Sequence, residues 1–549
     1  MPWRKGDFHH DRADITHNLE SSTLDAGAER RPRPARQMSP STWIRNASWV
    51  IAWDAGRGCH VYLKDADVVF SEHGIHFVGR GYSDDEHRAT VVDGRDRMVM
   101  PGLVNIHSHP TSEPLMRGLT EERKSRQLGM STLYEYIVLV GRASKPPPLG
   151  AETTTQHEPL HYHDPGARSA AARMAIYEML KSGVTTFVDY SPMRPDWIAE
   201  VAATGIRAVL APQYRSAYWY TPNGHEVLYE WDEQAGQDTF REALELVDEV
   251  RELGSDRLSA MVAPGQVDTC TPELIRASHE AAVERDLAWT IHAAQSMVEF
   301  REMFRRHGKT PIEWLESLGV LGPHLTIGHA IFCDHHTWLC WPDRLDLDRI
   351  ASSGASVAHC PNVFARGGTT LQDFGRYRRH GVNLGLGTDT NPHNLIDEMR
   401  WAAVLCKVAA ADVDATSVAD VFHAATVGGA RALRRDDIGR LEPGCRSDIV
   451  VIDTSHPYMQ PLRDPLRTMV FSALERAVLD VYVQGRQVVA GGEALTIDIE
   501  AAASELNAGQ RRALPMVPAK DWAERTAEEA FPLALPVHEA SDPPRGPQP

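Results

Sequence analysis

Between residues 101 and 433 the chain repeats one pattern, a short apolar run followed by a stretch with helical spacing. The apolar runs fall at 98–109, 184–189, 206–212, 258–263, 287–292, 325–329, 355–359 and 382–389. Helical stretches at 167–181, 240–253, 272–285 and 396–410 lie between them. A strand buried on both faces of a parallel sheet reads as a continuous apolar run, without polar alternation. Strands that alternate with helices build a parallel sheet whose crossovers are those helices. Eight such units predict an α/β fold, a (β/α)8 TIM barrel. Barrels of this kind place chemistry at the C-terminal ends of their strands. Four of these eight runs end in histidine, and the eighth ends in Asp389.

The flanks have a different character. Residues 43–97 and 434–490 break into short β-like pieces separated by Gly and Asp turns. Neither flank has enough strands to bury a core alone, so the two are expected to combine. The predicted organisation has five parts. Residues 1–41 form a disordered or loosely docked extension, and 42–100 the first part of a small composite β-sandwich. Residues 101–433 form the barrel and 434–490 the second part of the sandwich. A C-terminal helix at 499–513 and a Pro-rich tail fill 491–549.

Composition removes several function classes. A formal charge of −18 is opposite to the basic footprint of a nucleic-acid binder. The short basic run at 30–36 reads as solvated tail. Seven cysteines are scattered, odd in number and form no Cys-x-x-Cys pair, as expected of free thiols in a reducing compartment. The first 30 residues hold no apolar signal core, and no apolar run approaches the ~20 residues that span a bilayer. The expectation is a soluble, cytoplasmic protein whose partner is a small molecule, with no nucleic acid and no membrane.

The chemistry is carried by the ends of the runs. His107 and His109 are two residues apart, so on a strand both point to one side and can reach one point in space. That suits a metal that takes imidazole nitrogen. His292 closes the fifth run and Asp389 the eighth. One such residue at a strand end is ordinarily structural; four in one barrel point to a single divalent-metal site with room for water.

Pro101-Gly-Leu-Val-Asn-Ile-His-Ser-His109 resembles the opening signature of the amidohydrolase superfamily. Thr290-Ile-His-Ala-Ala-Gln295, Ile327-Gly-His-Ala330, Ser356-Val-Ala-His-Cys-Pro-Asn362 and Leu386-Gly-Thr-Asp389 resemble its later strands in order. The His-Cys-Pro-Asn sequence is similar to the branch that holds cytosine deaminase, S-adenosylhomocysteine deaminase and the triazine hydrolases. The resemblance implies that His107, His109, His292 and Asp389 hold one divalent ion, zinc in the first place, with iron, cobalt and manganese also suited. Such an ion lowers the pKa of bound water from ~15.7 towards ~7. It further implies that Asp389 takes a proton, that His329 orients the attacking group, and that His359, Gln295 and Asn391 face the substrate. Binuclear relatives use a lysine at the fourth strand; this chain has none between Lys181 and Lys309, which implies a mononuclear site. A homodimer or larger assembly is the family expectation.

One departure stands out. The deaminases of this branch carry Glu three residues after the fifth-strand histidine, where this chain has Gln295. An amide donates a hydrogen bond but does not relay a proton. The leading expectation is therefore a hydrolase of amide-like, urea or carbamate C–N bonds, resembling phenylurea and thiocarbamate herbicide hydrolases. The alternative is an aminohydrolase or chlorohydrolase of an N-heterocycle such as a triazine, purine or pyrimidine. A non-enzymatic scaffold on the same fold would have lost metal ligands, and this chain keeps all four. Among secondary candidates, His157, His161 and His163 read as a solvated loop. Arg117 and Glu135 lie in an insertion expected to cover the site. Cys360 reads as packing and His335-His336 as a surface helix start.

Overall fold

The computed structural model describes residues 41–84, 89–140 and 164–537. The expectations for the 1–40 extension, for His157, His161 and His163, and for the end of the Pro-rich tail lie outside the described residues. Seven strands precede the strand–helix units: β1 (Ser41–Ala47), β2 (Trp49–Asp54), β3 (Cys59–Leu63), β4 (Ala66–Ser71), β5 (Gly74–Gly79), β6 (Ala89–Asp93) and β7 (Arg97–Pro101). Then come β8 (Leu103–Asn105), β9 (Val184–Ser191), β10 (Arg207–Tyr214), a hairpin of β11 (Ala217–Tyr220) and β12 (Leu228–Trp231), β13 (Leu258–Ala260) and β14 (Ala263–Pro264). They are followed by β15 (Trp289–Ala293), β16 (Leu325–His329), β17 (Ser356–His359) and β18 (Asn383–Leu386). The chain returns to β structure with β19 (Ile449–Asp453), β20 (Val478–Val483), β21 (Arg486–Ala490) and β22 (Glu493–Ala494).

The run at 98–109, expected as one strand, is two. It divides at Gly102, where any side chain would run into Thr185. Before that point β7 pairs antiparallel with β19 and parallel with β2. Beyond it β8 pairs parallel with β9. The two chain ends thus share a seven-stranded sheet, ordered β22-β21-β20-β19-β7-β2-β3, beside a four-stranded sheet ordered β5-β4-β1-β6. Period-2 alternation gives the larger sheet two buried faces. Val99, Ile449 and Val451 pack with Ile44, Val68 and Phe70 of the smaller sheet. Their neighbours Met98, Met100, Val450 and Ile452 join the main core instead.

The strand–helix units form two parallel sheets. One is ordered β13-β10-β9-β8, with β14 also on β10; the other is β15-β16-β17-β18. Isolated parallel bridges span both seams, Ser108 to Asp389 on one side and Val262 to Trp289 and Gln266 to His292 on the other. Val104, Ile106, Val188, Tyr190, Val209 and Ala211 form one buried cluster, while the alternate residues Leu103, Phe187, Ala208 and Leu210 pack in the main core with the helices. Side-chain caps fix where the helices start. Asp164, Asp232, Thr271, Ser296 and Asn394 each accept from a first-turn backbone N–H. The helix expected at 240–253 starts earlier, at Glu233, because Asp232 caps it; its polar first turns hid that start. Among the described residues, no helix is long and apolar enough to cross a membrane.

Candidate metal centre and active site

The seam between the first and last parallel strands brings the ligand-type residues together. Asp389 N donates to the His107 carbonyl at 2.9 Å, and His109 N donates to the Asp389 carbonyl at 3.0 Å. Ser108 Oγ donates to the Val188 carbonyl at 2.7 Å, so the residue between the two histidines faces the neighbouring strand. His292 lies in β15. One ligand atom from each of His107, His109, His292 and Asp389 falls within 4.8 Å of the others. Backbone strain gathers here, as it does at functional sites. Ala294 (φ 55°), His329 (φ 80°) and Asp389 (φ 59°) all adopt positive φ without being glycine.

The donor set fits a cation. His109 Nδ1 donates to the Tyr190 carbonyl at 2.8 Å, and His292 Nδ1 donates to the Gly265 carbonyl at 2.6 Å. A carbonyl only accepts, so both protons sit on Nδ1 and both Nε2 atoms carry bare lone pairs. Those two lone-pair atoms are 3.3 Å apart. Asp389 Oδ1 is 3.3 Å from the Nε2 of both His107 and His109. Several acceptors aimed at one point repel each other unless a positive ion sits among them. Outer partners that fix the imidazole tautomers are the usual companions of such an ion. Burial, then the neighbouring His107, His329 and His109, keep His292 well below the ordinary imidazole range and so neutral. Burial alone would raise the Asp389 carboxyl; positive charge among His329, His107 and His109 holds it well below the carboxylate range, and in a loaded site the ion would supply that charge.

A cavity of about 210 Å³ opens onto this cluster. His109, His292, His329, Asp389 and Gln295 line it. His329 has its pKa pushed down to about 3, chiefly by burial and against the pull of Asp389. Its Nδ1 is buried and unpartnered, which leaves Nε2 as the nitrogen able to reach the cavity. Gln295 Nε2 donates to Gln266 Oε1 in a short contact. Buried Glu299 accepts from the backbone N–H of both Ala294 and Gln295, holding that turn in place.

His359 and Asn391 are buried but lie off the cavity lining. The His359 ring packs beside Phe374, and Asn391 Nδ2 donates to the Glu113 carbonyl at 3.1 Å, securing the turn that carries Glu113. The insertion after β8 does line the cavity, but not through Arg117 or Glu135. Arg117 pairs with Glu178 at 2.7 Å and Glu135 with Arg525 at 2.9 Å. The charged lining residues from this insertion are Glu113 and Lys124 instead. Burial, then Asp389, push the Glu113 carboxyl up to about 7, and burial, then Arg366, bring Lys124 down to about 8. Glu113 opens a single 3-10 turn, Glu113–Met116, and Lys124 lies on no helix or strand, so no sequence period marks them. His335 and His336 are not on the surface. They are buried in the turn after β16, where Phe332 packs on His336 with ring centroids 4.5 Å apart. Cys360 is buried and its thiol is pushed well above its ordinary range, chiefly by burial.

Residues 98–488 match the amidohydrolase family, and the chain belongs to it. It is similar to the 5'-deoxyadenosine deaminase of Methanothermobacter thermautotrophicus, at 29% identity across 76% of this chain and 89% of that protein. It is equally similar, at 29% identity, to the 5-methylthioadenosine/S-adenosylhomocysteine deaminase of Thermococcus kodakarensis, across 77% of this chain and 89% of the relative. Its fold matches the crystal structure of a zinc complex of atrazine chlorohydrolase from Arthrobacter aurescens. That match has a TM-score of 0.71 and 22% identity, covering 85% of this chain and all of the other. The chain is thus a metal-dependent hydrolase of non-peptide C–N bonds with an α/β fold, of the branch that the sequence motifs indicated.

Proposed function

We propose that this enzyme is an aminohydrolase of an N-heterocycle of the adenosine type. This reverses the order of the two expectations drawn from the sequence. The observation that carries it is the pair of nucleoside deaminases, each aligned over most of its length with a chain that keeps the ligand set. The urea and carbamate reading rested on Gln295 alone. We read the two parallel sheets, bridged at both seams, as one eight-stranded barrel, and the two terminal sheets with their shared core as one composite sandwich.

In this reading His107, His109, His292 and Asp389 hold one divalent ion, zinc in the first place. When bound, that ion supplies a water acidic enough to yield hydroxide near neutral pH. The chain's own residues do the rest. Asp389, held ionised, accepts the water proton. His329, neutral, relays that proton through Nε2 to the departing amine. Gln295, fixed against Gln266, orients the ring through its amide without exchanging protons. A carboxylic acid at that position would protonate a ring nitrogen; here the enzyme works without it, at a cost in rate. We place the enzyme in the cytoplasm and expect a homodimer or larger, which light scattering will measure.

The test is a screen of purified, metal-loaded protein for ammonia released from 5'-deoxyadenosine, 5-methylthioadenosine and aminotriazines, with amine release from phenylureas as the comparison arm. Ammonia from the heterocycles supports the proposal. Amine from the ureas with no ammonia from any heterocycle overturns it and restores the first expectation.

A further inference from the structure

Two segments that no strand–helix unit requires meet over the cavity. One is the stretch 125–134 after β8; the other is the β11–β12 hairpin. Tyr134 packs edge-on against Trp219 with ring centroids 5.1 Å apart, and Leu128 joins them in a small separate core. Each segment is tied to the main body. Tyr134 Oη shares a 2.7 Å hydrogen bond with Ser296 Oγ, the cap of the helix Met297–His307. Trp219 Nε1 donates to Asp268 Oδ2 at 2.9 Å, and Tyr229 Oη, from the other strand of the hairpin, donates to the same oxygen at 2.7 Å. Arg306 closes the clamp. Its guanidinium lies 4.2 Å from the Tyr229 ring centroid and 5.0 Å from that of Trp231, and its Nη1 donates to the Asp268 carbonyl at 2.7 Å.

The consequence lies in what Trp219 has left to offer. An indole has one N–H and no acceptor. Asp268 takes that N–H, so the part of Trp219 that lines the cavity is ring carbon. Met130 and Leu133 line the cavity with it. Trp219, Met130 and Leu133 therefore give the cavity an apolar, aromatic wall, while His109, His292, His329 and Asp389 supply its imidazole and carboxylate lining.

We propose that Trp219 is a specificity-determining wall of the pocket, that Asp268 is its positioning residue, and that the site takes substrates with a planar aromatic ring laid against the indole. This rests on reading the cavity as the substrate pocket. A flat ring gains face-to-face contact with the indole over its whole area, whereas a puckered ring of the same size touches at few points.

The experiment is calorimetric binding of phenylurea and cyclohexylurea to metal-loaded full-length protein. The two probes share a head group and differ in the planarity of the ring. Wild type is expected to bind phenylurea on the order of tenfold more tightly, the scale of one aromatic pair. Trp219→Leu should bring the preference below about twofold with metal content unchanged, the scale left when that one aromatic pair is lost. Trp219→Phe keeps a ring but gives up the bond to Asp268, and should fall between. Asp268→Asn retains an acceptor oxygen and should stay near wild type. Equal binding of the two probes by wild type, binding of neither, or a preference that survives in Trp219→Leu overturns the wall. A wild-type preference in Trp219→Phe overturns the role of Asp268. Because the readout is binding, an enzyme that deaminates no heterocycle yet prefers the flat probe would refute the proposed reaction and leave this inference standing.

Discussion

Gln295→Glu is the most informative single change, because the two readings of the reaction assign it opposite signs. Gln295 is only 4% exposed and its Nε2 donates to Gln266 Oε1. A carboxylate in the same place would set two acceptor oxygens against each other. The new carboxyl must therefore keep its proton or turn the Gln266 amide around. Burial also raises it; nearby Glu299 is pushed well above the ordinary carboxylate range by burial, then by Asp268. The variant thus carries a protonated acid facing the cavity at mildly acidic pH. A positioned general acid contributes typically ~10²–10⁴-fold. Rearranging the hydrogen bond to Gln266 takes back about 1 kcal/mol, roughly fivefold. The expected net result on an adenosine-type substrate is a rise in kcat/KM on the order of tenfold or more at pH 6. That gain should fade as pH rises, since the acid acts only while protonated and loses its proton above its raised pKa. Aniline release from a phenylurea should fall instead, because the variant loses an amide donor. The assay is steady-state kinetics of both proteins from pH 5 to 9 with metal content matched by elemental analysis. A fully metallated Gln295→Glu that is slower than wild type on every heterocycle at pH 6 refutes the reasoning.

His329→Ala should lower kcat by on the order of 10²-fold or more while metal content holds, the scale of a general acid–base group; a near-wild-type rate means that another residue moves the proton. Elemental analysis should find about one metal per chain, as a catalytic site with an open position requires, and two tightly held metals at full activity would contradict the single site. Stability should fall as pH rises from about 4 to 7, in part because of Asp346. Burial, then Asp334, raise its folded pKa to about 7, so the folded state holds a proton there that the unfolded state has released. Asp346→Asn should flatten that slope in urea unfolding measured at pH 5 and 8, and an unchanged slope would remove Asp346 from the account. Asp448→Ala should destabilise by about 3–5 kcal/mol in the same assay, because it strands a buried charge. Arg207 Nε and Nη2 bind Asp448 Oδ2 and Oδ1 at 2.7 and 2.9 Å, with both side chains inaccessible.

The parts of this molecule that were legible in the sequence share one property, namely that a period or a run encodes them. The eight apolar runs recur as parallel strands because burial on both faces forces each to be apolar throughout. The four ligand-type residues were found because they terminate those runs. Gly102 lies inside the first run, but the pattern does not say that the strand changes sheets there. That requires knowing that Thr185 occupies the space a side chain would need. Glu113 and Lys124 were missed for a related reason. They reach the cavity from a single 3-10 turn and a loop, too short to show a period, where position is set by particular contacts such as the Asn391 bond to the Glu113 carbonyl. The β11–β12 hairpin did leave a trace. Two aromatic-rich stretches, Ala217-Tyr-Trp-Tyr220 and Leu228-Tyr-Glu-Trp231, flank Asn223-Gly224, a strong turn pair.

That contrast bears on how the site divides its work. The residues that the run pattern reveals lie on or directly after the parallel strands: His107, His109, His292 and Asp389 form the ligand-type cluster, and His329 lines the cavity with three of them. The residues it does not reveal, Glu113, Lys124, Tyr218 and Trp219, line the cavity from segments outside the parallel sheets. Strand ends in a packed sheet cannot shift without disturbing the core, so they suit groups that must meet within a few tenths of an ångström. Inserted loops can change length and composition at little cost to the core, so they suit contacts that select one substrate over another. Gln295 sits between the two sets, on the turn just after β15 and hydrogen-bonded to Gln266 beside it in the cavity lining. In the proposed reaction, a change of one residue there would alter how the ring is protonated while leaving the ligand cluster and the Trp219 wall as they are.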